Sequence, residues 1–365
     1  MKTQERPLIA PGTVPGQWWH PLVDGRIQCD LCPRACKLGM RQRGFCFVRE
    51  NIGGRMALTA YGRTSGFCID PIEKKPLNHF YPGSASLSFG TAGCNLGCRF
   101  CQNWNISKAR ESVLLSCEAN PEDIARAARK LGCRSVSFTY NDPVIFAEFA
   151  IDVAEACHAE GVAAIAVTAG HMTGISRPEF FRHMDAANVD LKGFTDSFYR
   201  KVCAGQLAPV LETLKYLRHQ TTAWLEVTTL LIPGENDSEE ELNLAAEWFS
   251  ANLGADVPWH FSAFHPSYKM LGTLPTPPAS LARARSIARA HGLMYVYTGN
   301  IHDPVGGSTW CPHCGHLVIG RDGYSISRWQ IKNGACAVCG FPIAGHFSKK
   351  PGTWDGRSQP VRLPL

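Results

Sequence analysis

No run of about 18 consecutive apolar residues occurs in this 365-residue chain, so no segment reads as a membrane span. The stretch from Met1 to Arg26 is rich in Pro, Gly and Trp, and it lacks the apolar core of a secretory signal. Neither sign of charge is in large excess. The 37 basic and 31 acidic residues leave +6, whose ordinary meaning is solubility. That excess leaves nucleic acid open as a partner without pointing to it. One further absence is local. A run of cysteines that begins at Cys94 stops at three.

The 16 cysteines are too many for chance, and a secreted disulfide framework is one way to use them. Their grouping argues otherwise. Three clusters have metal-ligand spacing: Cys29, Cys32, Cys36 and Cys46; Cys94, Cys98 and Cys101; and Cys311, Cys314, Cys336 and Cys339. Metal thiolates need a reducing compartment, so the chain reads as cytoplasmic. The scattered Cys68, Cys117, Cys133, Cys157 and Cys203 read as buried small hydrophobes, with Cys68 the least certain because it lies between two clusters.

The central cluster is Cys94-x3-Cys98-x2-Cys101, with Phe100 just before the last thiol. Three thiolates this close can wrap one small inorganic centre. A cubane of four irons takes four cysteines, so three leave one iron open. An open position is where a metal site does chemistry. The alternatives are a zinc knuckle with a borrowed fourth ligand, or cysteines packed as small apolar groups.

From Ser86 to Thr298 strand and helix signals alternate. Short apolar runs predict strands at Leu87–Gly90, Ser135–Tyr140, Ala163–Thr168, Asn188–Leu191, Ala223–Leu231, His260–Phe264 and Met294–Tyr297. Asn120 followed by Pro121, Glu122 and Asp123 predicts a capped helix start. Ser238 and Glu241 predict another, as a capping box. Repeated βα units imply a parallel sheet. If that sheet curls, a site forms at the C-terminal strand ends, where the Cys94 loop falls.

The ends of the chain read as separate modules, giving spans of 1–75, 76–302 and 303–365. The N-terminal four thiols make a closed site for structural zinc or for an iron–sulfur cluster, and the sequence does not choose. The C-terminal pairs Cys311/Cys314 and Cys336/Cys339, each followed by glycine, read as a zinc ribbon.

The central run and the segments C-terminal to it resemble the radical S-adenosylmethionine superfamily. Asp70-Pro71-Ile72-Glu73-Lys74-Lys75-Pro76-Leu77, Thr139–Pro143, Asp190–Gly193 and Phe264–Met270 add detail. With the C-terminal module they resemble the branch named for the AmmeMemoRadiSam system, related to pyruvate formate-lyase activating enzymes. The resemblance implies a partial (β/α)6 TIM-like barrel. It implies a 4Fe–4S cluster on Cys94, Cys98 and Cys101, with Phe100 shielding it and S-adenosylmethionine on the open iron. Reductive cleavage would then give a 5′-deoxyadenosyl radical that takes hydrogen from a substrate the sequence does not identify. A protein glycine, a small molecule, another protein or RNA all remain open as that substrate. A one-electron reductant such as a flavodoxin or ferredoxin is the implied partner.

The same resemblance assigns S-adenosylmethionine contacts to Asn141, Asp142, Thr168, Asp190, Lys192, Thr228 and His265, with Tyr268 near the adenine. Asp142 stands where relatives carry Gly-Gly-Glu-Pro, and Ala169 departs from Thr-Asn-Gly. An internal salt bridge is the other reading of Asp190 and Lys192. The alternative for the whole chain is a non-catalytic multi-zinc protein that binds nucleic acid or protein.

Overall fold

The apolar runs become seven strands: β1 (Ala85–Phe89), β2 (Ser135–Phe138), β3 (Ala163–Thr168), β4 (Ala186–Asp190), β5 (Trp224–Leu231), β6 (Trp259–Ala263) and β7 (Val296–Gly299). They pair in chain order, each parallel to the last. The computed structural model describes residues 6–110, 117–354 and 356–363. The first five residues of the Pro/Gly/Trp-rich start lie outside them.

Each crossover contains at least one helix, the longest in each being α1 (Pro121–Lys130), α2 (Ala147–Ala159), α3 (Arg177–Phe181), α4 (Ala208–Gln220), α5 (Glu239–Leu253) and α6 (Pro278–Ala290). The result is a partial TIM-like barrel of six β–α units with a seventh strand. It stays open. The other neighbour of β1 is the antiparallel strand Phe67–Pro71, and beyond that lies Gln359–Val361. The sheet thus runs past both ends of the 76–302 span. Strand β4 starts two residues before its expected place, because Ala186 and Ala187 carry no β-branched signal.

The helix starts follow local chemistry. Asn120 Oδ1 accepts the Asp123 N–H at 2.8 Å. Ser238 Oγ accepts the Glu241 N–H at 3.2 Å. The return bond of the capping box is missing, because the Glu241 carboxylate accepts the Phe194 N–H at 2.5 Å instead.

Residues two apart on a strand share a face, and parallel register carries that face across the sheet. Leu87, Phe89, Val136, Phe138, Val189, Val227 and Phe261 form the helix-side core. The other face carries Ser86, Ser88, Ser137, Asn188, Glu226 and His260, all buried. A doubly covered parallel sheet normally reads as apolar on both sides. Polar groups buried here need partners. Glu226 has four: the N–H groups of Asn78 (2.9 Å) and His79 (2.7 Å), Trp224 Nε1 (2.9 Å) and His260 Nε2 (2.7 Å).

Burial pulls His79 down to about 4, so its ring is neutral. Its Nδ1 therefore donates to the Ala344 carbonyl at 2.5 Å. Its Nε2 then accepts the Tyr297 hydroxyl hydrogen at 2.5 Å. Arg321, on the strand Leu317–Asp322, donates to the Asn78 carbonyl at 2.6 Å. The C-terminal segment is thus tied to the foot of the barrel.

The N-terminal segment forms two three-stranded antiparallel sheets. It docks through Arg49, whose Nη1 meets Glu148 Oε1 of α2 at 2.6 Å and whose Nε reaches the Ile145 carbonyl at 3.0 Å. Both side chains are excluded from solvent. Breaking a buried pair from one side strands a charge, at a cost of about 3–5 kcal/mol. Arg49→Met should therefore lower the denaturation midpoint steeply, and Arg49→Met/Glu148→Met should recover part of the loss. A single variant as stable as the parent would show that the pair does not hold the segment.

Candidate active site

The loop from Gly90 to Cys101 leaves the C-terminal end of β1 without regular structure. Its backbone polar groups find partners one by one. Asn141 Oδ1 accepts the Thr91 N–H at 3.1 Å, and Asn141 Nδ2 donates to the Gly93 carbonyl at 2.8 Å. The N–H groups of Gly97 and Arg99 donate to the carbonyls of Cys203 (2.8 Å) and Val202 (2.9 Å). Lys108 Nζ donates to the Leu96 carbonyl at 2.7 Å. Gly93 has φ +91°, and a Cβ there would overlap the Cys46 carbonyl oxygen. Only glycine fits that approach.

Around the three thiols, the Leu96 N–H points at Cys94 Sγ from 3.5 Å, and Ser107 Oγ lies 3.1 Å from Cys101 Sγ. Cys98 is buried, and Cys94 and Cys101 are partly exposed. The Cys203 thiol donates to Cys98 sulfur and, helped by Lys192 and Lys108 against the effect of burial, brings Cys98 down to about 7. Burial pushes Cys94 up to about 12. Cys203 is therefore more than the small hydrophobe its isolation suggested. It lies too far along the chain for spacing to reveal the contact. Phe100 is buried beside Phe198, with ring centroids 6.2 Å apart.

The seven expected cofactor contacts separate into three groups. Asn141 is taken up by the loop. Asp142 is buried and accepts from Val144 N (3.1 Å), Thr168 Oγ1 (2.8 Å) and Ala169 N (3.1 Å). Burial raises its carboxyl above the ordinary range despite those bonds. Asp142 and Thr168 thus tie the ends of β2 and β3 together. Asp190 and Thr228 form a second group as register partners on the polar face, with Lys192 Nζ 2.7 Å from Asp190 Oδ2. Burial opposes the Lys192 charge, but Asp190 and Cys98 outweigh it and the pKa rises. Thr228 Oγ1 is buried with no hydrogen-bond partner among the described residues. The third group is His265, which is exposed, its Nε2 3.4 Å from the Asn300 carbonyl. Tyr268 stacks on Trp104 at 5.7 Å.

A polar cleft of about 390 Å³ lies against β7. His260, Ser262, Thr298, Glu73 and Arg321 line it. It reaches the polar face at His260, the register partner of Thr228. Nothing in the sequence marks it, because its walls come from segments far apart in the chain.

The two outer cysteine quartets differ in geometry. Cys311, Cys314, Cys336 and Cys339 bring their sulfurs within 4.8 Å of one another, with Cys311–Cys339 at 3.6 Å and Cys314–Cys336 at 3.9 Å. Gly315 and Gly340 follow each pair at φ +71° and +76°. Zn–S bonds of about 2.3 Å in a tetrahedron put sulfurs about 3.8 Å apart. The C-terminal quartet fits one such ion. Among the described residues, no other group of three or more cysteines, histidines or carboxylates comes this close.

This chain is similar to several known proteins. Residues 89–245 match the model of the Radical SAM superfamily. An uncharacterized protein of Methanocaldococcus jannaschii is 39% identical over 328 residues, covering 89% of this chain and 97% of the relative. The pyruvate formate-lyase-activating enzyme of Clostridium pasteurianum is 25% identical over 173 residues, 45% of this chain and 69% of that one. Among solved structures, a radical SAM methyltransferase from Sphaerobacter thermophilus aligns with TM-score 0.48 at 17% identity, over 60% of this chain and 67% of its own. The chain belongs to the radical SAM superfamily, and its barrel is that of a radical SAM enzyme.

The bracing role of Asn141 is testable. Asn141→Ala leaves the Thr91 N–H and the Gly93 carbonyl without partners, and each unsatisfied buried group costs about 1–3 kcal/mol. The variant should melt at a lower temperature and retain less iron after gel filtration. Parent-like melting and iron content would remove Asn141 from the loop's support.

Proposed function

We propose that Cys94, Cys98 and Cys101 hold a 4Fe–4S cluster whose fourth iron is left for S-adenosylmethionine. The single observation that carries this is the loop itself: three thiols on one irregular loop at the C-terminal end of β1, with Cys203, the further thiol beside them, already hydrogen-bonded to Cys98. The donor set fits. Three thiolates each take one iron of a cubane, so their sulfurs stand farther apart than around one ion. Such a cluster supplies one electron to cleave the sulfonium and give a 5′-deoxyadenosyl radical.

The chain's own residues bind and orient. Asp190 and Lys192 present opposite charges suited to an amino-acid moiety, and the partnerless Thr228 hydroxyl is a donor and acceptor beside them. Asp142, Thr168 and Asn141 fix the strand ends on which those groups depend. Phe100 keeps water from the thiols. The polar cleft beside β7 is the route we assign to a polar substrate that gives up a hydrogen atom. A one-electron reductant such as a flavodoxin or ferredoxin completes the reaction. The C-terminal quartet holds one structural zinc, a reading that metal analysis finding no zinc in the chain would overturn. A zinc-only binding protein would leave the Thr228 hydroxyl and the polar inner face of the sheet without a purpose.

Under anaerobic dithionite reduction the protein should convert S-adenosylmethionine to 5′-deoxyadenosine. Replacing any one of Cys94, Cys98 or Cys101 with Ala should abolish it. Undiminished product from such a variant would sink the cluster assignment. Loss of one charge-assisted bond costs on the order of 1.5–3 kcal/mol, so Asp190→Ala should weaken S-adenosylmethionine binding roughly 10–150-fold. Unchanged affinity in equilibrium binding would remove Asp190 from the cofactor site.

A further inference from the structure

The N-terminal cysteines have the ligand count of a zinc site but not its geometry. Cys29, Cys32, Cys36 and Cys46 all line one small cleft. The hairpin from Ile27–Cys29 to Lys37–Leu38 presents the first three, and the Cys29 N–H is bonded to the Cys36 carbonyl at 2.9 Å. Cys46 comes from the following turn. Yet no three of these sulfurs lie mutually within 4.8 Å. The C-terminal quartet of the same chain does meet that spacing, so wide separation is not a general property of its thiols.

A single ion draws four sulfurs to about 3.8 Å from one another. A cubane gives each thiolate its own iron, so its four sulfurs stand at the corners of a larger figure. Cys94, Cys98 and Cys101 do not lie mutually within 4.8 Å either. The surroundings suit an anionic cluster. Arg34 and Arg49 both line the cleft, which is otherwise walled by Leu31, Val144 and Ile145.

We infer that Cys29, Cys32, Cys36 and Cys46 hold a second iron–sulfur cluster, fully ligated by protein and set directly against the radical site. Its position is fixed by two contacts. The Cys46 carbonyl packs on Gly93, the residue before Cys94. Asn95, the residue after Cys94, lines the N-terminal cleft, and its carbonyl accepts from Arg34. The same Arg34 guanidinium bonds the Ala204 carbonyl beside Cys203 and lies 3.4 Å over the Phe45 ring. One residue on each side of a radical-site thiol therefore touches the second cluster's shell. The closeness of the two clusters rests on the radical reading of Cys94, Cys98 and Cys101, whereas the identity of the N-terminal metal does not.

Elemental analysis of the full chain, reconstituted anaerobically with iron, sulfide and zinc, tests this. The expected content is about eight irons and one zinc per chain. About four irons and two zincs would overturn it, since the N-terminal site would then be zinc. The full-length Cys94→Ala/Cys98→Ala/Cys101→Ala variant should keep about four irons and, once reduced, show one EPR signal of its own. An iron-free triple variant would overturn the inference. About four irons in both parent and variant would support the N-terminal cluster and count against the Cys94 assignment instead. In the fully reduced parent the two signals should broaden each other, and two sharp independent signals would refute the shared wall.

Discussion

Everything around the active site depends on holding an irregular loop in one shape. Between Gly90 and Cys101 the backbone has neither a helix nor a ladder to satisfy its polar groups, and buried polar groups without partners are costly. The partners include Asn141 after β2, the Val202–Cys203 turn before α4, Lys108, Arg34, the Ile106 carbonyl and the Lys269 N–H. Remove that support and the three thiols have no reason to face a common point. The loop's position also explains why the strand-end residues beside it have so few free atoms.

The same constraint separates two kinds of residue that the sequence presents alike. Asn141 and Asp142 sit in one turn, and both look suited to gripping a cofactor amine. In the fold both are already bonded to protein. Thr228 keeps an unpartnered hydroxyl on the polar face, beside the ion pair of Asp190 and Lys192. The polar groups here are layered, with one set holding the loop and strand ends and another that we propose takes ligand. The polar inner face of the sheet extends that second set toward the cleft beside β7, through the register pair Thr228 and His260.

Much of this is legible in the residues alone. Runs such as Ser135–Phe138 and Trp259–Ala263 announce themselves by aromatic and β-branched residues. The cap at Asn120 is local chemistry, and the cysteine triad is local spacing. What could not be read is non-local. Cys203 meets Cys98 only because the turn before α4 folds over the loop. Arg49 meets Glu148 across 99 residues. The Glu241 carboxylate leaves its expected capping bond because a nearby loop N–H, that of Phe194, is a better-placed donor. As sequence the C-terminal pairs read as a zinc ribbon, whereas the N-terminal quartet leaves its metal open. Their difference is a matter of a few ångströms between sulfurs, which ligand spacing along the chain does not encode.

The central claim is that one iron at the Cys94, Cys98 and Cys101 site is open and takes S-adenosylmethionine directly. EPR spectroscopy of the anaerobically reduced full chain, recorded with and without S-adenosylmethionine, tests it most directly. An open iron changes its ligands when the cofactor binds, so part of the signal should shift its g-values, and that part should be missing from a chain lacking the three thiols. A spectrum identical with and without saturating S-adenosylmethionine would contradict the account.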